Sequence, residues 1–263
     1  RSFKIFIGIY LSGQCAMDFV SGMAIYYVDD VLGGYDKGYL TMLMGVLLSS
    51  QLIGMLIFTP IMTRTSKRTT ILIGAPIRLA STLGLLAFSY AGAPIVPVLL
   101  LSAGVGIGNA ATLTSIFAIL ADMADIDELI TSTRRPGIVS GMATFARKIS
   151  AGLSVWFIGI LLSLVGYDAK LAHSGVSQAF TTQRGIAMIF IVIPAILVVL
   201  LLIFGYIFPI TNKEFDIVKK EIGRRRGTDG SIASDDEKRI LERVTGFKYE
   251  DLWKTSNEHK IRS

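Results

Sequence analysis

The sequence predicts an all-α membrane protein, a six-transmembrane-helix bundle followed by a helical cytosolic tail. Three observations carry that prediction. Six apolar stretches are each long enough to cross a hydrocarbon core of ~30 Å. Hydrophobic residues make up 52% of the 263-residue chain and charged residues only 17%, with a mean hydropathy of +0.58, outside the range of ordinary soluble domains. The stretches are also apolar nearly all round, whereas a helix of a soluble protein keeps one wet face.

The first stretch, Ile5–Val28, is too long for a signal peptide and has no small-residue cleavage site. It carries Gln14 and, one turn later on the same face, Asp18, with Tyr26 and Tyr27 beyond. Asp18 reads as the only acid inside a span, in the middle or outer half of the bilayer. The lone Cys15 excludes a disulfide framework and reads as a small packing residue. Leu40–Met62 is the second span, and Thr70–Tyr90, the third, holds Arg78 well inside it.

Val96–Leu120 is the fourth span. Its Gly104, Gly106 and Gly108 spell GxGxG, but no strand precedes them, so close helix packing is expected rather than a nucleotide loop. Gly8, Gly13, Gly45, Gly54, Gly152 and Gly159 are read the same way. Asn109, Thr112, Thr114 and Ser115 give this span a polar stripe, suited to a solute or to neighbouring helices. The fifth span, Ile138–Val165, places Lys148 about ten residues in, roughly 15 Å deep. Arg147 points about 100° away from it and is expected to reach toward the cytosolic end. The sixth span is Gly185–Phe208.

Loop charges set the orientation. Arg1, Lys4, Arg64, Lys67, Arg68, Arg134 and Arg135 lie on one side, and only Lys37, Lys170 and Arg184 on the other. The positive-inside rule therefore puts both termini in the cytosol. After Pro209 the composition changes, dividing the chain into a membrane bundle over residues 1–209 and a tail over 210–263. Asn212 is expected to cap a helix over Lys213–Arg226, and Ser234 with Glu237 has the capping-box spacing for a second, closed by Gly246. Arg224–Arg226 reads as a solvated helix end, or as a contact with anionic headgroups. Phe247, Tyr249, Leu252 and Trp253 are expected to anchor the tail on something the sequence does not name. No nucleic-acid signature accompanies the pI of about 9.4.

Charged groups inside spans face the bundle interior, a water-filled cavity or each other. Asp18 with Arg78 is one possible structural ion pair. The other reading is a hydrophilic cavity for a polar solute, lined by Gln14, Asp18, Tyr26, Tyr27, Arg78, Asn109, Thr112 and Lys148. Asp122, Asp125, Arg134 and Arg135 sit where the fourth span meets the cytosol and read either as a gate or as solvation of the helix ends. An intramembrane enzyme has little support, since His173 and His259 lie outside the spans and Cys15 has no base beside it in sequence. No metal site or cofactor is expected.

The run from Ala121 carries a resemblance. AD-x-x-D at Ala121–Asp125, then Asp127–Glu128, Thr131, Arg134–Arg135, Gly137, Ser140, Phe145, Lys148, Ala151, Gly159 and Gly166–Tyr167 is similar to the glycoside–pentoside–hexuronide:cation symporters, a branch of the major facilitator superfamily. Pro136 departs from it, standing where the family commonly has an acid. The similarity covers the six spans and the start of the tail, and fades after Arg226.

The resemblance implies the second half of that fold, helices seven to twelve, with an N-terminal six-helix half as partner and the lipid bilayer as surroundings. It also implies a bacterial cytoplasmic (inner) membrane, acids of the first half as the main cation ligands, and Lys148 as the family's lysine near the cation and sugar sites. The function expected is secondary active transport of a sugar, glycoside or uronate with Na⁺ or H⁺. Interior basic groups lean toward an acidic solute. The alternatives are a lysolipid-type transporter of the same superfamily and a non-transporting membrane sensor.

Overall fold

The computed structural model describes residues 2–34, 38–173 and 177–254. Among these, six helices are long and apolar enough to cross a membrane. α1 (Ser2–Tyr26) continues into a π-helical turn, Tyr27–Val31. α2 (Tyr39–Arg64) and α3 (Lys67–Gly84) follow, the latter ending in a 3₁₀ turn, Leu85–Phe88. Then come α4 (Ile95–Thr131), α5 (Pro136–Leu164), the short α6 (Ala169–His173) and α7 (Phe180–Ile207). Outside the bundle lie α8 (Asn212–Arg225), α9 (Asp235–Thr245) and a 3₁₀ turn, Tyr249–Asp251.

Helix ends follow local chemistry. Ser66 caps α3 by accepting from the Thr69 N–H at 3.0 Å. Pro136 occupies the first turn of α5, where a missing N–H leaves no bond unmade, and that accounts for a proline at this departure from the family pattern. Two expectations need correcting. The helix of the fourth span does not end at Leu120: the acids from Asp122 to Glu128 form the last turns of α4, and only Ser132–Arg135 link it to α5. Asp18 is also not the only acid of a span, because the π turn that extends α1 contains Asp29 and Asp30.

α4 lies between α2 and α3, and small residues set the spacing. A Cβ on Gly106 would stand 2.1 Å from Ser50 Oγ on α2, and one on Gly108 2.6 Å from the Arg78 backbone nitrogen on α3. Gly54 and Gly74 meet Ala110 and Ala111 from the two sides. The GxGxG is thus a packing motif. α1 packs on α7, α5 and α4, with Gly8 against Phe204 and Gly13 against Thr112. By contrast Gly45, Gly152 and Gly159 face open space, so for these three the expected close packing is absent. The outer faces of α2 and α5 are apolar and exposed, Leu56 at 78% and Phe145 at 68%.

Composition changes at Pro209, but the buried core runs on. Phe6, Ile9 and Tyr10 of α1 belong to one cluster with Phe215, Val218, Leu241, Val244 and Leu252 of the tail. The tail folds onto the end of the bundle where α1 starts and α4 finishes. Trp253 N–H donates to Leu129 O at 2.9 Å, Lys254 N–H to Ile130 O at 3.3 Å, and the Ser2 hydroxyl to Val244 O at 2.5 Å. α8 is capped by Thr211 and not by Asn212, because Glu214 accepts from the Thr211 N–H at 2.8 Å. Asn212 instead donates to Thr65 O at 2.9 Å. Ser234 and Glu237 form the expected capping box, and Gly246 closes α9 at φ 82°.

The three arginines at the end of α8 are neither free nor headgroup-facing. Arg224 pairs with Glu221 and Glu237, Arg225 with Glu221, and Arg226 with Glu128 of α4. The Tyr249 hydroxyl donates to Glu221 at 2.7 Å. The Arg224 guanidinium, with help from Ser234 and Lys220, holds the Glu237 carboxyl down at about 2.

Candidate functional site

Depth alone does not decide which cation meets Asp18. Arg78 lies eleven residues after Lys67, the start of α3, and Arg147 eleven after Pro136, the start of α5, so both rise about 16 Å into the bundle. Azimuth decides. Arg147 turns toward α1 and its Nη1 donates to Asp18 Oδ2 at 2.5 Å. The expected Asp18–Arg78 pair is therefore replaced by Asp18–Arg147, and Arg147 does not reach for the helix end. The two side chains remain partly accessible, 36% for Arg147 and 15% for Asp18.

Around the pair, α1 and α5 are tied a second time, by Cys15 Sγ and Ser150 Oγ at 2.7 Å. Cys15 thus does more than fill space. Gln14 is buried one turn before Asp18. Behind them, Asn109 of α4 donates to Gln51 Oε1 of α2 at 3.1 Å and to Met17 Sδ at 3.2 Å. Lys148 is exposed on α5 and has no ion pair among the described residues. This accessible face of α1 and α5 thus pairs one cation, Arg147, with one acid, Asp18, while Lys148 projects about 100° away from Arg147 around α5.

Other expected solute residues do not reach that face. Arg78 is wholly buried against α4, with all three guanidinium nitrogens unpartnered among the described residues. Tyr27 is also wholly buried, stacked on Phe190 at 4.2 Å with its hydroxyl 3.1 Å from Ser89 Oγ. Thr112 is turned back onto Gly108 O at 3.4 Å. Packing claims these three, with Arg78 covered by α4, Tyr27 by Phe190 of α7 and Thr112 by Gly13 of α1. Tyr26 stays half-buried, edge-on to Tyr167 with centroids 5.1 Å apart.

At the tail-bearing end the expected gate residues are all ion-paired. Lys67 meets Asp122, Arg134 meets Asp125 at 3.2 Å, and Arg135 grips Asp127 with two bonds of 3.0 and 3.1 Å. Glu128, buried beneath them, takes Arg226. Sequence reasoning missed Lys67, Asp127, Glu128 and Arg226 as members of this cluster. The i,i+3 spacing of Asp122, Asp125 and Glu128 is the signal that could have joined the acids into one row, whereas Lys67 and Arg226 come from distant segments and carry no such local signal.

With this geometry the chain can be compared with known proteins. The family model described as MFS/sugar transport protein matches residues 1–212. The chain belongs to that family. The symporter resemblance read from residues 121–167 agrees with it. A glucuronide carrier protein homolog of Escherichia coli K12 is 28% identical over 221 residues, 82% of this chain and 46% of the relative. A proposed sulfoquinovose importer of Salmonella typhimurium is 29% identical over 129 residues, 49% of this chain and 26% of that protein. An uncharacterized symporter of Synechocystis is 22% identical over 227 residues, 86% of this chain and 41% of its own length. The chain thus spans less than half the length of these relatives. They are named as carriers, importers and symporters rather than enzymes, and the six apolar helices make this family member an integral membrane protein.

Proposed function

We propose that this chain is the helix-seven-to-twelve half of a cation-coupled transporter for an acidic sugar, with the solute's anionic group received at Arg147. The observation that carries this reading is the Asp18–Arg147 pair at mid-depth on an accessible face. A guanidinium matches a carboxylate or sulfonate with two parallel hydrogen bonds. The solute anion and Asp18 then compete for one fork. A cation or proton that neutralises Asp18 frees Arg147 for the solute, and solute on Arg147 frees Asp18 for the cation. That reciprocity is the coupling a symporter needs.

Gln14 and the edge of Tyr26 supply hydroxyl and ring contacts, and Gln51 with Asn109 holds the wall behind. Lys148, exposed on α5 and without an ion pair among the described residues, is assigned to an acid of the N-terminal half, a pair broken as Na⁺ or H⁺ binds. The names of the two relatives support the acidic solute, because a glucuronide carries a carboxylate and sulfoquinovose a sulfonate. Alternating access would open and close the ion pairs of Asp122, Asp125, Arg134 and Arg135. The excess of loop cations at that end supports a cytosolic side for it and for both termini.

The test is uptake by the full-length transporter in proteoliposomes, with a glucuronide, a sulfonated sugar and a neutral glycoside, under a Na⁺ or a proton gradient. Gradient-driven accumulation of an acidic sugar, lost in Arg147→Gln, is expected. Equal uptake of the neutral glycoside, or full accumulation by Arg147→Gln, would overturn the assignment.

A further inference from the structure

At the end of the bundle opposite the tail, two helices finish irregularly. α1 widens into its π turn and α3 tightens into its 3₁₀ turn, and between them and the start of α7 a wedge is left. It forms a cavity of about 570 Å³ whose lining includes Leu86, Tyr90, Gln183, Arg184, Ala187 and Met188. None of its lining residues belongs to the Asp18–Arg147 site.

Arg184 is out of place by charge, being one of the few basic residues on that side of the chain. Among the described residues it has no carboxylate partner; its guanidinium rests on the Phe180 ring, 4.6 Å from the centroid. A cation held only by the face of one ring, at the edge of the membrane, has donors to spare. The Gln183 amide beside it makes no side-chain bond among the described residues either, whereas Ser89 is already committed to Tyr27 and Leu85 O. Below this polar rim the wall is apolar, and Met188, Leu86 and Phe180 are exposed where the spans end. An exposed Tyr90 completes an aromatic rim of the kind found at headgroup level.

We infer that this wedge is a binding site for an anionic phospholipid, with its phosphate on Arg184 and Gln183 and an acyl chain along Leu86, Ala187 and Met188. One unspent cation at the rim and an apolar floor beneath it match one phosphate and one chain. The cavity volume falls within the range of small-molecule sites, roughly 300–1,000 Å³.

The experiment is native mass spectrometry of the full chain in neutral detergent, offered phosphatidylglycerol and phosphatidylcholine at equal concentration. Preferential retention of phosphatidylglycerol is expected, and Arg184→Gln should lower that preference about fivefold, the equivalent of the ~1 kcal/mol of one headgroup cation. Met188→Trp, which fills the wedge from an exposed position on its wall, should displace both lipids while the melting temperature without lipid stays within a few degrees of wild type. Lys170→Gln, at the same end, should leave the preference intact. The inference fails if wild type retains both lipids equally, if Arg184→Gln is silent, or if Lys170→Gln acts as strongly. It also fails if inorganic phosphate alone competes the lipid away, which would make the wedge a free-anion pocket.

Discussion

Glycines on α4 stand within overlap distance of α2 and α3, whereas Gly137, Gly141, Gly152 and Gly159 on α5 face open space. Both helices are long, apolar and interrupted by polar groups, and periodicity does not tell them apart. α4 uses its small residues to bring backbones together inside this chain, so its polar side chains are spent on frame contacts such as Asn109 with Gln51. α5 touches the bundle along one stripe, where Val139, Ala143, Ile158 and Leu162 are buried and Arg147 and Ser150 bond to α1, and leaves its outer face, Lys148 included, unpartnered among the described residues. The difference separates the residues that build the half from those that meet a solute or another body.

The sharpest way to break this contrast is to add bulk. Gly108→Val would place side-chain carbons within 2.6 Å of Arg78 backbone, and overpacking of this kind costs about 1–3 kcal/mol or more. Loss of folded protein on size-exclusion of the detergent extract is expected. Gly152→Val, with nothing within 4 Å, should leave the yield of folded chain unchanged, yet lower uptake in the full-length transporter. Equal yields for the two variants would erase the distinction between α4 and α5.

Next in size is the ion pair. Asp18→Asn leaves Arg147 unpaired at mid-membrane, and Arg147→Gln does the same to Asp18; each should reduce gradient-driven accumulation at least tenfold. The double variant should lose less than the product of the two, because residues in contact are not additive. A smaller effect is expected at the tail. Arg226→Gln removes the nearer of the two ion-pair partners of the buried Glu128, leaving Arg134 at 3.9 Å, and should destabilise docking by about 1–3 kcal/mol, read as faster amide exchange over 212–254 with α1–α7 unchanged.

The smallest effect is with pH. Glu237 is held at about 2, below its ordinary 4.5, first of all by Arg224. Its contribution is complete above the ordinary value and is lost as pH falls through about 2. Amide protection in α8 and α9 should therefore stay level from pH 8 to about 5 and decline below 4.5, less so in Glu237→Gln.

Several of these features were legible beforehand. Spans are written in hydropathy, and the capping box at Ser234–Glu237 and the glycine at 246 are local codes that tertiary contacts do not alter. The fourth span was ended at Leu120 because acids interrupt the apolar run, although on α4 they stay helical, neutralised by Lys67, Arg134, Arg135 and Arg226. The partner of Asp18 was misread because Arg78 and Arg147 share one depth, and depth is all that a linear count supplies.

By itself, then, the sequence determined the six crossings, their order, the tail helices and the family, because hydrophobicity, caps and a run of spaced residues are properties of neighbouring positions. Only the tertiary structure decided that Arg147 takes Asp18, that Arg78 and Tyr27 are sealed inside, and that the tail shares a core with α1. Those outcomes depend on rotation of each helix about its axis, set by which small residues let two backbones approach, and that is a property of pairs far apart in the chain.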